Sequence, residues 1–176
     1  GGGELRYPLY ISPVWSREAA QESVRTWHQL FGFRKPDVVA SGTQLFQEGV
    51  IPTEVFLLVE GLALLTCTLP LKSEAALGVR FPGQIIEQCA HTLAQPYAVS
   101  ARLLGPSKVL RISVAEVQQK EKDNPLIGIF FHQVFSLDLY NAALFIMHLK
   151  NARPAERLEQ FLYLLASVAR SEPKLG

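Results

Sequence analysis

Cysteine is scarce in this chain, with two, Cys67 and Cys89, among 176 residues. One disulfide between them is possible. The dense framework of a small secreted domain is excluded, as is a zinc site of paired Cys-x-x-Cys motifs, and the usage reads as a reducing, cytoplasmic setting. Excess charge of either sign is missing too: 17 Lys and Arg against 16 Asp and Glu leave a formal net charge of +1. A free-standing DNA-binding domain is usually far more basic, so this segment is not expected to hold nucleic acid by itself. A small molecule or another protein chain is the expected partner. Long apolar runs are absent. The densest stretch, from Leu126 to Leu149, is interrupted by His132, Gln133, Asp138, Asn141 and His148, so no membrane span is expected. The opening Gly1-Gly2-Gly3-Glu4 lacks the basic-then-apolar form of a signal peptide.

Clustered metal ligands and catalytic motifs are also missing. The four histidines, His28, His91, His132 and His148, form no His-x-His pair, and only His91 falls in the segment that reads as β-structure. A cupin-like enzyme would need His and Glu ligands gathered on two strands. No nucleophile elbow offers a serine for a catalytic triad. An enzyme is therefore not expected, and neither a cofactor nor a metal is assigned. What the chain does have is a hydrophobic fraction of 48% with 19% charged residues, the balance of a packed globular protein.

The apolar pattern changes period twice. Ser16 to about Leu30 reads as a helix, with Ser16 as N-cap and Ala19-Ala20, Val24, Trp27 and Leu30 at three-to-four spacing; Gly32 and Pro36 end it. From about Asp37 to Ser113, short apolar runs alternate with turn residues. The runs are Val38-Val39, Gln44 to Phe46, Val55 to Val59, Leu62 to Thr68, Leu77 to Phe81, Val99 to Leu104 and Val109 to Ile112. Strands at that spacing with no helical period between them indicate an antiparallel sandwich or barrel.

Helical period returns at Val114. A short polar helix to about Asp123 is followed by Asn124-Pro125, a cap with proline at the first helical position, and a helix to about Asn151. That helix carries two apolar stripes. One holds Ile127, Phe130, Val134, Leu137, Asn141 and Leu144; the other holds Phe131, Phe135, Leu139, Ala142, Ile146 and Leu149. Two stripes suggest a second surface to bury. The first alternates three and four like a coiled-coil seam, so it is the expected interface of a homodimer, in which Asn141 could set register. Burial inside a bundle is the alternative. Arg153-Pro154 opens a last amphipathic helix, Ala155 to about Arg170.

The order of these elements, with LFQEGVIPTEVFLLVEGLALL, FPGQIIEQ, AVSARLLGPSKVLRIS and AERLEQFLYLLAS in sequence, resembles the catabolite-activator/fumarate-nitrate regulator (Crp/Fnr) superfamily, which shares the cyclic nucleotide-binding fold. The likeness covers nearly all of the chain beyond Lys35 and rests on order and spacing together. It implies an α+β chain. Residues 1–34 would form a helical segment and 35–123 an antiparallel double-stranded β-helix (a β-roll or jelly roll) that takes an effector. Residues 124–151 would form the dimerisation helix, and 152–176 a lead-in to a DNA-binding domain. That helix-turn-helix is expected beyond Gly176, placing recognition helices in successive major grooves.

The resemblance also locates a phosphate-binding cassette and its departures. The family places a Gly-Glu pair after the cassette glycine, here Gly83, and later an arginine followed by a serine or threonine. The acid holds the ribose hydroxyl and the arginine pairs with the cyclic phosphate. Here Glu87 and Gln88 stand where Gly and Glu are expected, and Tyr97 and Ala98 where arginine and the small hydroxyl are expected; Ala142 and Ala143 stand where hydroxyl residues touch the base. A cyclic phosphate buried without a cation keeps its desolvation penalty and loses its charge-assisted bonds, a cost on the order of several kcal/mol. Arg102, five residues from Tyr97 along a strand, falls on the opposite face. The expected effector is therefore an unknown small molecule other than cyclic AMP, or none. Cys89 and His91 resemble the Cys-x-His pair of the superfamily's haem-binding carbon-monoxide sensor, and both side chains can ligate haem iron; ordinary loop residues are the simpler account. A ligand-free interaction module of the same fold is the remaining alternative.

Overall fold

The computed structural model describes residues 16–71, 73–87, 89–151, 153–156, 158–159, 162 and 166; within its helices the side chains of Cys89, Asn141, 144–146 and 148–151 fall outside the description. The chain divides into two compact units, one from Glu18 to Phe135 and one that takes in Ser136 to Gly176 together with Gly1 to Arg17.

Helix α1 (Arg17–Phe31) ends as the sequence predicts, at Gly32, whose backbone sits at φ +85° and whose amide donates to the carbonyl of His28 at 2.9 Å. Strands β1 (Asp37–Val39), β2 (Gln44–Phe46), β3 (Glu54–Glu60), β4 (Ala63–Thr68), β5 (Glu74–Arg80), β6 (Ile85–Ile86), β7 (Ser100–Leu103) and β8 (Ser107–Ser113) follow, with helix α2 (Cys89–Leu93) between β6 and β7. They form two antiparallel four-stranded sheets, ordered β1-β8-β3-β6 and β2-β7-β4-β5. The chain passes back and forth between the sheets, which makes the expected β-roll.

The apolar run of β3 is explained by burial on both faces. Val55 and Leu57 join a core cluster with Trp27 and Phe31 of α1, and Phe56 and Leu58 join a second cluster between the sheets. β8 divides the same way, with Leu110 and Ile112 on the helix side and Val109 on the inter-sheet side. β5 begins three residues earlier than the apolar run Leu77–Phe81 suggests. Glu74 and Ala75 are weak strand formers, but they pair with Thr68 and Cys67 of β4, and that pairing overrides propensity at a sheet edge. Cys67 is a free thiol, so the disulfide possibility is not realised.

Helix α3 (Val114–Asp123) opens on an N-cap: Ser113 Oγ accepts from the amide of Glu116 at 3.0 Å. Asn124 closes α3 through its own amide and caps α4 (Leu126–Asn151), its Oδ1 accepting from the amide of Leu126 at 3.1 Å. The first turns of α4 depart from the expectation of a seam. Ile127, Phe130 and Phe131 are buried in the helix-side cluster of the roll, with Val134 and Phe135 packed against it. Both stripes therefore begin in the protomer's own core, and Ile127, with no exposed surface, has nothing to present to a partner. Farther along, Leu137 is 53% and Leu139 74% exposed. The side chains of Asn141 and Leu144 lie outside the described residues. So does most of the expected helix over 155–170, of which residues 155–156, 158–159, 162 and 166 are helical. Among the described residues, no helix is long and apolar enough to cross a membrane.

Trp27 is fully buried, yet its indole N–H has no hydrogen-bond partner among the described residues. Trp27→Ala is expected to cost about 3–5 kcal/mol of stability. Trp27→Phe, which removes the orphan donor along with some volume, should cost no more than about 1.5 kcal/mol. Urea unfolding of the three proteins checks both values.

Candidate functional site

The turn Pro82-Gly83 begins the cassette. Gly83 adopts φ +84°, and its amide donates to the carbonyl of Leu58 at 2.7 Å, while Leu58 N–H donates to the carbonyl of Gln84 at 3.0 Å. Gln84 folds back within the turn, its Oε1 accepting from the amide of Phe81 at 2.8 Å. Ile85 and Ile86 then pair with Leu57 and Phe56, so the cassette is stitched to the central strand.

Glu87, where the resemblance expects glycine, has φ +49°. The glycine-like backbone is present although the residue carries a Cβ, a strain on the order of 1–2 kcal/mol. Its Oε1 accepts from the amide of Ala90 at 3.2 Å, tying the bend to the start of α2. Gln88 lies outside the described residues. Ala94, just past α2, also has positive φ, at 52°.

Tyr97, in the expected place of arginine, is 4% exposed and belongs to the inter-sheet core. Its ring stacks on Phe46 of β2 with centroids 3.9 Å apart and planes 12° from parallel. Phe46 in turn lies 6.1 Å from Phe56 of β3, over which the guanidinium of Arg111 sits 5.5 Å from the ring centroid. The phenol hydroxyl donates to the carbonyl of Glu54 at 3.2 Å. Around the ring, Tyr97 N–H donates to the carbonyl of Val50 and Gly49 N–H to the carbonyl of Tyr97. Burial pushes the phenol pKa up to about 12, with the carboxylates of Glu87 and Glu54 adding to the rise. The group is thus a neutral donor at physiological pH.

Ala98 is exposed beside Tyr97, and Ala142 and Ala143 are exposed on α4 in the second unit. Arg102 lies on an exposed face of β7, where it pairs with Glu74 at 3.6 Å. Arg111 is committed to Asp37 at 2.7 Å and Glu54 at 3.6 Å. His91 of α2 meets Phe131 edge-on at 5.2 Å, with Thr92 Oγ1 3.4 Å from its Nε2. The side chain of Cys89 lies outside the described residues. Among the described residues, no group of three or more His, Cys, Asp or Glu side chains is gathered so as to hold a metal ion. The aromatic partners of Tyr97 and the contact of Gly83 with α1, taken up below, are not evident from sequence. Phe46 at the end of an apolar triplet offers only the weak signal of inward alternation.

The cyclic nucleotide-binding domain model matches residues 36–124. Three solved structures are similar in fold. FixK2 from Bradyrhizobium japonicum has a TM-score of 0.64 and 13% identity, with 79% of this chain and 68% of that one covered. The c-di-GMP-responsive global regulator CLP of Xanthomonas campestris has a TM-score of 0.63 and 16% identity, covering 88% and 74%. The catabolite activator protein of Thermus thermophilus has a TM-score of 0.57 and 17% identity, covering 81% and 63%. The chain thus spans less than two thirds of the Thermus protein. A comparison with curated protein sequences found no match.

The raised phenol pKa has a consequence for stability. The unfolded tyrosine ionises near 10 and the folded one near 12. Stability from the buried phenol is therefore fully present below pH 10 and is lost as pH rises from 10 through 12. Tyr97→Phe is expected to flatten the loss of stability over that window. It should also remove a late-ionising tyrosine from an ultraviolet titration of the folded protein.

Proposed function

Because the chain belongs to the cyclic nucleotide-binding domain family, we propose that it is the sensing and dimerising part of a transcription regulator of the catabolite-activator/fumarate-nitrate type, one whose roll does not take cyclic AMP in the family's way. The structural neighbours, which include a catabolite activator and a global regulator, support the first half of this reading. The observation that carries the second half is Tyr97. A phenol stacked at 3.9 Å on Phe46 and bonded to the Glu54 carbonyl occupies the position from which a guanidinium would reach a phosphate. A neutral hydroxyl cannot supply the paired ionic bonds of arginine, and the nearby carboxylate of Glu87 would repel an anion.

The domain reading that goes with this is a roll over 35–123, a dimer helix over 124–151 and a lead-in over 152–176, in a cytoplasmic homodimer that engages DNA through a further domain. The dimer seam is carried by the middle of α4, where Leu137, Leu139 and Tyr140 are more than half exposed, rather than by Ile127 and Phe130. The pocket would be formed by the Gly83 turn, Glu87, Gln88, Tyr97 and Ala98 of the roll, and the resemblance adds Ala142 and Ala143 of α4 to the same set. A second reading, a ligand-free interaction module, is favoured by the same stack, since aromatic side chains already fill the roll at Tyr97.

Isothermal titration of cyclic AMP into the protein is expected to give no heat of binding; a micromolar Kd would overturn the reading of the cassette. Light scattering is expected to give twice the chain mass. The double variant Leu137→Glu, Leu139→Glu is expected to give the single mass with the roll still folded, and a monomeric wild-type chain would sink the dimer.

A further inference from the structure

We propose that α1 is a strap that holds the Pro82-Gly83 turn and the base of α4 in a fixed relation, so that displacement of the turn loosens the first turns of α4. The inference stands whether or not the roll takes an effector. It rests on how one face of α1 is divided. Ala20, Ser23, Trp27 and Phe31 recur at spacings of three and four, so they share a side of the helix. At its N-terminal end that face lies directly on the turn. Ser23 Oγ donates to the carbonyl of Gly83 at 2.6 Å across 60 residues of sequence. The approach is as close as backbone allows, since a Cβ on Gly83 would come within 2.5 Å of Ala20 Cα, 3.0 Å of its Cβ and 3.2 Å of its carbonyl oxygen.

At its C-terminal end the same face is buried against α4. Trp27 and Phe31 meet at 4.7 Å, and Phe31 lies 6.4 Å from Phe131, in the cluster that also holds Ile127 and Phe130. The two contacts are about 11 residues apart on one helix, roughly 16 Å at 1.5 Å per residue. A helix of that length packed along one face moves as a body, not residue by residue. On its other side the turn is pinned to β3 through the reciprocal bonds of Leu58 with Gly83 and Gln84. The turn thereby touches both the central strand and α1. Whatever shifts it must either stretch the β3 bonds or push α1, and through Trp27 and Phe31 the aromatic base of α4.

Gly83→Ala is the direct test, because its Cβ pushes on the backbone of α1. Gly42→Ala is the control, with the same left-handed strain at φ +79° but no atom within 4 Å of the added Cβ. Ser23→Ala removes the bond and leaves the packing. Amide hydrogen exchange is followed on the whole chain, with α4 residues 127–135 normalised to β8. Gly83→Ala is expected to speed exchange over 127–135 about tenfold and Ser23→Ala about threefold, with Gly42→Ala unchanged. The proposal is overturned if 127–135 stays at the wild-type rate in Gly83→Ala, or if Gly42→Ala loosens it equally. Should Gly83→Ala not fold, Ser23→Ala decides alone, and a wild-type rate there refutes the strap.

Discussion

Strand β3 has no solvent face over Val55–Leu58, and the rest of the architecture is arranged around that constraint. Four consecutive buried apolar residues demand cover on two sides. The inter-sheet core covers Phe56 and Leu58, and the helices cover Val55 and Leu57. The two clusters are therefore separated by one strand's thickness and joined through its backbone. That backbone also carries the ladders to β8 and β6 and receives the bonds of the Gly83 turn. Packing on one side of β3 is in this way set by the same peptide groups as packing on the other, and interiors of protein density transmit such coupling well.

The inter-sheet side is rich in aromatic contacts. Tyr97, Phe46, Phe56 and Arg111 form a chain of contacts running from the cassette to the pairing of β3 with β8. The charge at the end of that chain is neutralised by Asp37 and Glu54 rather than offered inward. Stacked rings and the Tyr97 hydroxyl thus meet on this side of β3, while the guanidinium charge is held at its end.

Much of this was legible in the residues. Pro, Gly and Asn at the helix ends placed α1, α3 and α4 within about one residue, because those residues act through local backbone chemistry. The order of strands followed from turn residues in the same way. Ile85–Ile86 and Cys89–Leu93 were not legible as β6 and α2, since two residues cannot display a period and five cannot display a helical face. The apolar stripes of α4 were visible, but periodicity gives direction around a helix and not what lies there. Ile127 and Phe130 look like Leu137 in sequence and differ only because the roll sits over the first turns. For the candidate site, Tyr97 was singled out in the sequence, but its packing was not. Its stacking partner, fifty-one positions away on β2, depends on register, which no local pattern encodes.

Helix α2 is held between two residues, Glu87 and Ala94, in a left-handed conformation that side chains disfavour. Five residues are too few for the helix to stand by itself, and both of its hinges store unfavourable torsion. Melting of α2 would release the torsion held at Glu87 and Ala94, which offsets part of what the contacts of Ala90 and His91 contribute to holding the element in place.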